Sequence, residues 1–332
     1  MEKKCSRNVS LDIIRVIALF CVISVHFFKN NEFYSTIIMG KRMYIMTLMR
    51  TFFMICVPLF IVLTGYLMNK KRICKKYYLG IVKVIVIYIF VSIVCIIYKI
   101  LSGGNFSFTV AIGEILNFTA VDYAWYVEMY IGLFLMIPFL NVLWNNLETK
   151  GQKRLLIITF LLLTAIPNII NIYEFGVVGW WKIPIISNDY SKLVPEWWKN
   201  IYPITYFFIG CYINEFRCCI KKSLLLVLLM GSIIIFGTFN YYRSYGGIFL
   251  WGDWQTWGAL PNVVMTMLVF LLLLHIDFSW ISEKGKRVLG KISGICFGAY
   301  LSSWIFDATF YPILNTTVEY MQDRMVYYFI IL

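Results

Sequence analysis

The chain has 332 residues, 61% of them hydrophobic and only 14% charged. That apolar share lies well above the globular norm and excludes an ordinary soluble domain in favour of a protein with many membrane spans. The net charge of +13 would suggest nucleic acid in a soluble protein. Here it reads as Lys and Arg holding loops against anionic lipid, with no nucleic-acid partner.

The first apolar run, 11–28, is of spanning length, yet it holds Asp12, Arg15 and His26. Ionisable groups inside a span cost on the order of a few kcal/mol each and are rarely left facing lipid. Arg15 and His26 are eleven residues apart. At about 100° per residue both fall on one face of a helix, about 16 Å apart along its axis. Asp12 leans the same way. No small-residue cleavage site follows, so the run is read as a retained span rather than a signal peptide.

Further apolar runs fall at 47–68, 77–100, 124–143, 155–173, 201–216, 223–239, 257–276 and 292–306, with a short last one at 325–332. The expectation is an all-α, polytopic transmembrane bundle of about ten helices, the last one incomplete, forming a single domain over 1–332. The longest connections are expected at 102–123, 174–200, 240–256 and 307–324. Basic residues concentrate in alternate connections: Lys3, Lys4 and Arg7, then Lys70, Lys71, Arg72, Lys75 and Lys76, with further groups around Lys150, Arg217 and Lys284. This bias puts the N-terminus in the cytoplasm. No cysteine falls in an expected outer loop, and no disulfide is expected, the adjacent pair Cys218–Cys219 included.

That orientation sets depth. His26, Arg50 and Glu128 all come to lie in the outer halves of their spans. One reading is a buried Arg50–Glu128 ion pair with His26 as a hydrogen-bonded filler. The other is a polar cavity where His26, with an unperturbed pKa of about 6.5, exchanges a proton with a hydroxyl. The cluster at 70–76 is either a stop-transfer signal or a site for phosphates of a cytoplasmic ligand. The outer loops carry Trp180, Trp181, Trp197 and Trp198, then Tyr241, Tyr242, Tyr245, Trp251 and Trp254. These form either an interfacial belt or a platform for sugar rings, with Asp189, Glu196 or Asp253 bonding hydroxyls.

Several stretches together resemble the membrane-bound acyltransferase-3 family. They are Ser10-Leu11-Asp12-Ile13-Ile14-Arg15 with His26, Val57-Pro58-Leu59-Phe60 running on to Thr64-Gly65-Tyr66-Leu67, and Trp125-Tyr126-Val127 with Gly132-Leu133-Phe134 and Pro138. Tyr206 to Gly210 and Gly298 to Leu301 are weaker echoes. The resemblance implies about ten helices, an acyl-CoA donor (acetyl-CoA first among them) entering from the cytoplasm, and a hydroxyl acceptor on a surface polysaccharide or lipid-linked glycan at the outer face of the cell membrane. It implies His26 as the catalytic histidine, Arg15 as the first-helix basic residue, and a donor-binding basic pair at Arg72 and Lys75, beside Lys71 and Lys76. No metal is expected. In that scheme Arg50 or Glu128 would position the reactants, and Trp125, Tyr126, Trp197 and Trp198 would contact the sugar. Many members have a histidine after the late Tyr-Leu, where this chain reads Tyr300-Leu301-Ser302-Ser303-Trp304. That leaves His26 as the one suitable imidazole, because His275 lies at the wrong depth. The alternative is a glycan exporter, or another transporter, on the same fold.

Overall fold

Asn8 starts the first helix, α1 (Val9–Asn30), by accepting a hydrogen bond from the Ser10 amide at 3.0 Å. Such a cap satisfies one of the helix's orphan donors, and Asp12 in the first turn suits its positive end. The computed structural model describes residues 8–104, 106–180, 190–216 and 220–331. Trp181, Asp189, Cys218, Cys219 and the basic residues Lys3, Lys4, Arg7 and Arg217 lie outside the described residues.

The described residues are 74% helical and contain no strand. After α1 come α2 (Gly40–Phe53), α3 (Cys56–Met68), α4 (Lys75–Tyr78), α5 (Ile81–Leu101), α6 (Phe108–Leu116), α7 (Trp125–Asn145), α8 (Lys150–Thr164) and α9 (Pro167–Ile170). They are followed by α10 (Tyr202–Glu215), α11 (Lys222–Ser244), α12 (Leu260–His275), α13 (Glu283–Thr317), α14 (Met321–Arg324) and α15 (Tyr328–Ile331). Among the described residues, seven helical stretches are long and apolar enough to cross a membrane. The chain is therefore a multi-pass membrane protein.

The count differs from the nine spans and partial tenth expected. Two apolar runs end as short helices, α8 of 15 residues and α10 of 14, where about 20 are needed to span. Pro167 interrupts the first run, and Pro203 sits in the first turn of α10, where its missing N–H costs no ladder bond. The expected connection 307–324 gives way in the opposite sense. α13 is 35 residues long and carries on through Asp307 and Pro312 to Thr317.

α1 is the central helix, packed against α13, α3, α2 and α12. Ile14, Ala18, Phe27 and Phe28 are wholly buried on it. α3 crosses α10 at backbone contact: a Cβ on Gly65 would overlap the Phe207 carbonyl oxygen, and one on Gly210 would overlap that of Val62. Small residues are what allow helices to approach this closely in lipid, where packing rather than water exclusion joins them. We call the end of the bundle where α1 begins the near end, and the other the far end.

The far end is tied by connections. The Ile38 amide donates to the Gly247 carbonyl at 2.8 Å, and the Gly246 amide returns to Ile38 at 3.0 Å. Arg324, 2% exposed, bonds the carbonyls of Asn31, Asn315, Val318 and Glu319 and the Glu32 carboxylate.

Gly65→Ala should lower the unfolding temperature in detergent, in keeping with about 1–3 kcal/mol for overpacking. Gly132→Ala, where a Cβ meets nothing within 4 Å, should leave it unchanged. Equal effects from the two would contradict the tight α3–α10 crossing.

Candidate functional site

Near the end of α1, His26 points inward, its side chain 10% exposed. One turn before it on the helix, Val22 reaches a large cavity, and one turn after it Asn30 reaches a small one. The partner of His26 comes from the other end of the sequence: its Nδ1 lies 3.3 Å from Asp307 Oδ2, on α13. The imidazole stacks on the Tyr123 ring at 3.6 Å between centroids. Tyr123 Oη donates to the same carboxylate oxygen at 2.6 Å and receives a hydrogen bond from Asn30 Nδ2 at 3.3 Å. Tyr300, two turns before Asp307 on α13, donates its hydroxyl to the Tyr123 carbonyl. Nδ1 makes no aligned hydrogen bond, but a carboxylate this close would favour the proton on that nitrogen. The cluster thus sets one imidazole beside a carboxylate, with a tyrosine ring stacked on it that also bonds that carboxylate.

The large cavity, about 570 Å³, occupies the near-end side. Its lining runs along α3 from Val57 to Met68, about 16 Å at 1.5 Å per residue, and it ends against Tyr126 and Tyr300. The walls are largely apolar, with Phe60, Leu63, Leu67, Ile87 and Phe297 among them, and the near-end lining carries Arg15, Lys71 and Lys83. Arg15 donates to Ser293 Oγ at 2.6 Å and lies 3.7 Å from Asp12. The small cavity, about 200 Å³, lies on the far-end side and includes Tyr123 and Asp307 in its walls. His26, Tyr123 and Tyr300 stand between the two.

The residues singled out in the sequence divide accordingly. Arg15, Lys71 and Tyr126 line the large cavity, and His26 sits beyond its inner end. Arg72, Lys75 and Lys76 are exposed and line neither cavity, whereas Lys83, inside the apolar run 77–100, does line one. Lys83 stands two residues past the start of α5, which follows α4 after only Leu79 and Gly80.

The expected meeting of His26, Arg50 and Glu128 does not occur. Tyr126 and Tyr130 of α7 face the large cavity; Glu128, two residues from each and so about 200° around the helix, is exposed. Arg50 is 1% exposed, but its partners belong to the far-end loops. It donates to Tyr34 Oη at 3.2 Å and Gln255 Oε1 at 3.0 Å, under the rings of Phe249 and Trp251 at 4.7 and 4.8 Å. Depth along the helices was readable from sequence; rotation about them was not, and rotation decides which groups meet.

The aromatic residues of the far-end loops also stand apart. Trp125 stacks on Trp257 at 4.3 Å. Trp197, 87% exposed, and Trp198 line neither cavity. Asp253 is engaged by Lys199 at 2.7 Å. Burial raises the Glu196 carboxyl, but hydrogen bonds from Lys192, Tyr190 and Asn171 outweigh it and hold the group below its ordinary range.

Asp307 and Tyr123 went unnoticed in the sequence. The apolar run was closed at 306, and the following Asp307 and Tyr311-Pro312 look like a loop. The available signal was spacing: Asp307 is seven residues past Tyr300, hence on the same helical face if the helix continues.

A family model described as an acyltransferase domain, that of acyltransferase-3, matches residues 8–332. No curated protein and no solved structure matches the chain. A match over nearly the whole sequence, on a membrane bundle whose one interior imidazole is set between two cavities, makes the chain a member of the acyltransferase-3 family.

Proposed function

We propose that the protein is an O-acyltransferase of the cell membrane that moves an acyl group, acetyl in the simplest case, from acyl-CoA to a hydroxyl of a glycan on the opposite face. The observation that carries this reading is the placement of the His26–Asp307 pair between a large cavity with a basic, apolar-walled interior and a small polar one. The surplus of Lys and Arg in alternate connections supports a cytoplasmic near end. Arg15, Lys71 and Lys83 would then meet the phosphates of the donor, with the pantetheine arm lying along α3 and the thioester at Tyr126 and Tyr300. The acceptor, a surface polysaccharide or a lipid-linked glycan, would enter the small cavity from outside. Membrane lipids surround the bundle.

The step balances on one imidazole. The acceptor hydroxyl gives its proton to Nε2 of His26 as its oxygen attacks the thioester carbonyl carbon. Asp307 steadies the imidazolium that forms, and Tyr123 holds Asp307 in place. The tetrahedral intermediate collapses with cleavage of the C–S bond, and the imidazolium returns its proton to the departing CoA thiolate. An O-ester and free CoA result, and His26 is neutral again. Tyr123 lines the small cavity and Tyr300 the large one; the hydroxyl and the thioester would meet where these rings border His26, and the break between the cavities supports acyl transfer over the alternative of a glycan exporter with a through-path.

His26→Ala, checked for insertion and folding, should lower transfer from labelled acetyl-CoA to surface glycan by about 10²–10⁴-fold. Asp307→Asn, which keeps the shape but not the charge, should lower kcat by at least about tenfold. Full activity in either variant would remove the proposed base or its support.

Charge removal at Lys71 and Lys83 together should weaken CoA binding, measured by calorimetry, and flatten its dependence on salt. The same change at Arg72 and Lys75 should do neither. The opposite ranking would return donor binding to the exposed cluster.

A further inference from the structure

The small far-end cavity has features that the transfer chemistry does not use, and they bear on which acceptor fits. Its walls include Asn30, Asp122, Trp304, Asp307, Tyr311 and Asn315. Tyr311 is only 2% exposed, yet its hydroxyl has no hydrogen-bond partner among the described residues. Asn315 donates its Nδ2 to the Asn30 carbonyl at 2.9 Å, while its Oδ1 is likewise unmet. A buried donor or acceptor without a partner is costly. A ligand bearing hydroxyls, each able to donate and accept, would satisfy both. Trp304 adds an apolar face at the same place.

The charge of the cavity is one-sided. Among the described residues two carboxylates, Asp122 and Asp307, line it, and no Lys or Arg does. Lys29 lies over the Tyr123 ring at 5.2 Å but is exposed and outside the lining. Lys99 lies over Trp304 at 5.4 Å and is paired with Glu114 at 3.0 Å. A carboxylate or phosphate on the incoming ring would therefore meet two like charges without a counter-ion inside the cavity, which is how sites reject wrong partners.

We infer that this cavity takes one polyhydroxylated ring that carries no negative charge, and excludes acidic sugars and sugar phosphates at that position. The inference rests on reading the far-end cavity as the acceptor site. Asp122, exposed at the cavity and outside the His26 cluster, is the selecting residue, and Tyr311 and Asn315 bond the ring hydroxyls.

The test compares methyl glucoside with methyl glucuronide, rings that differ in a carboxylate, by equilibrium binding to the full-length protein in detergent. The glucoside should bind at least about tenfold more tightly. Asp122→Asn should narrow that ratio by at least threefold through the glucuronide arm, a change that a purely structural role would not make. Tyr311→Phe, which keeps the ring and the packing, should weaken the glucoside by about fivefold. Equal or tighter binding of the glucuronide, no binding of the glucoside, or an unchanged ratio in Asp122→Asn would overturn the inference. Acetyl transfer to the same probes is read separately. Discrimination in binding with no transfer to any acceptor would sink the enzymatic reading and leave this one standing.

Discussion

A carboxylate and an imidazole inside an apolar bundle are each expensive alone, and together they need a rigid frame to stay within reach. Here the frame is a pair of packed helices from opposite ends of the chain. α1 supplies His26, α13 supplies Asp307, and a 3.3 Å approach joins them. Tyr123 fixes the arrangement twice, by stacking on the imidazole and by donating to the carboxylate. The approach depends on α13 remaining helical through Asp307 and Pro312, because a break there would turn Asp307 away.

The two cavities follow from the same pair of helices. α1 and α13 run past both, with Arg15 and Ser293 at one level, Val22 and Tyr300 at the next, and Asn30 with Asp307 and Asn315 at the last. The polar character of the lining changes along that path. Basic groups stand at the near end, apolar walls and phenols occupy the middle, and acids and amides stand at the far end. That gradient suits a donor with a charged head and an apolar arm on one side, and a hydroxyl-bearing acceptor on the other. The tyrosines between them would also shield a thioester from far-end water.

Much of this was legible in the sequence. The helical class and the common face of Arg15 and His26 came from periodicity alone. Lys71, expected beside the donor, lines the large cavity, whereas Tyr126, expected against the sugar, lines that same cavity and not the small one. Arg50 and Glu128 were drawn in because hydropathy gives depth and nothing about rotation: Glu128 lies on the outer side of α7, and Arg50 closes an aromatic far-end cap. Asp307 escaped because apolar runs were ended by polarity and by proline. A long helix that buries its polar residues against α1 breaks no physical rule, but it shows no unbroken apolar run. Lys83 was hidden in the same way, as a charge inside a span. In this protein the polar groups of the candidate site are the ones that interrupt the hydrophobic pattern, so a hydropathy reading weakens at that site.

Sidedness tests the account most directly. Protein reconstituted in vesicles with known orientation would be given labelled acetyl-CoA, which does not cross the bilayer, on one face and a glycan acceptor on either face. The account predicts ester formation when the donor is on the near-end face and the acceptor on the far-end face. Product formed only when both are on the same face would contradict it.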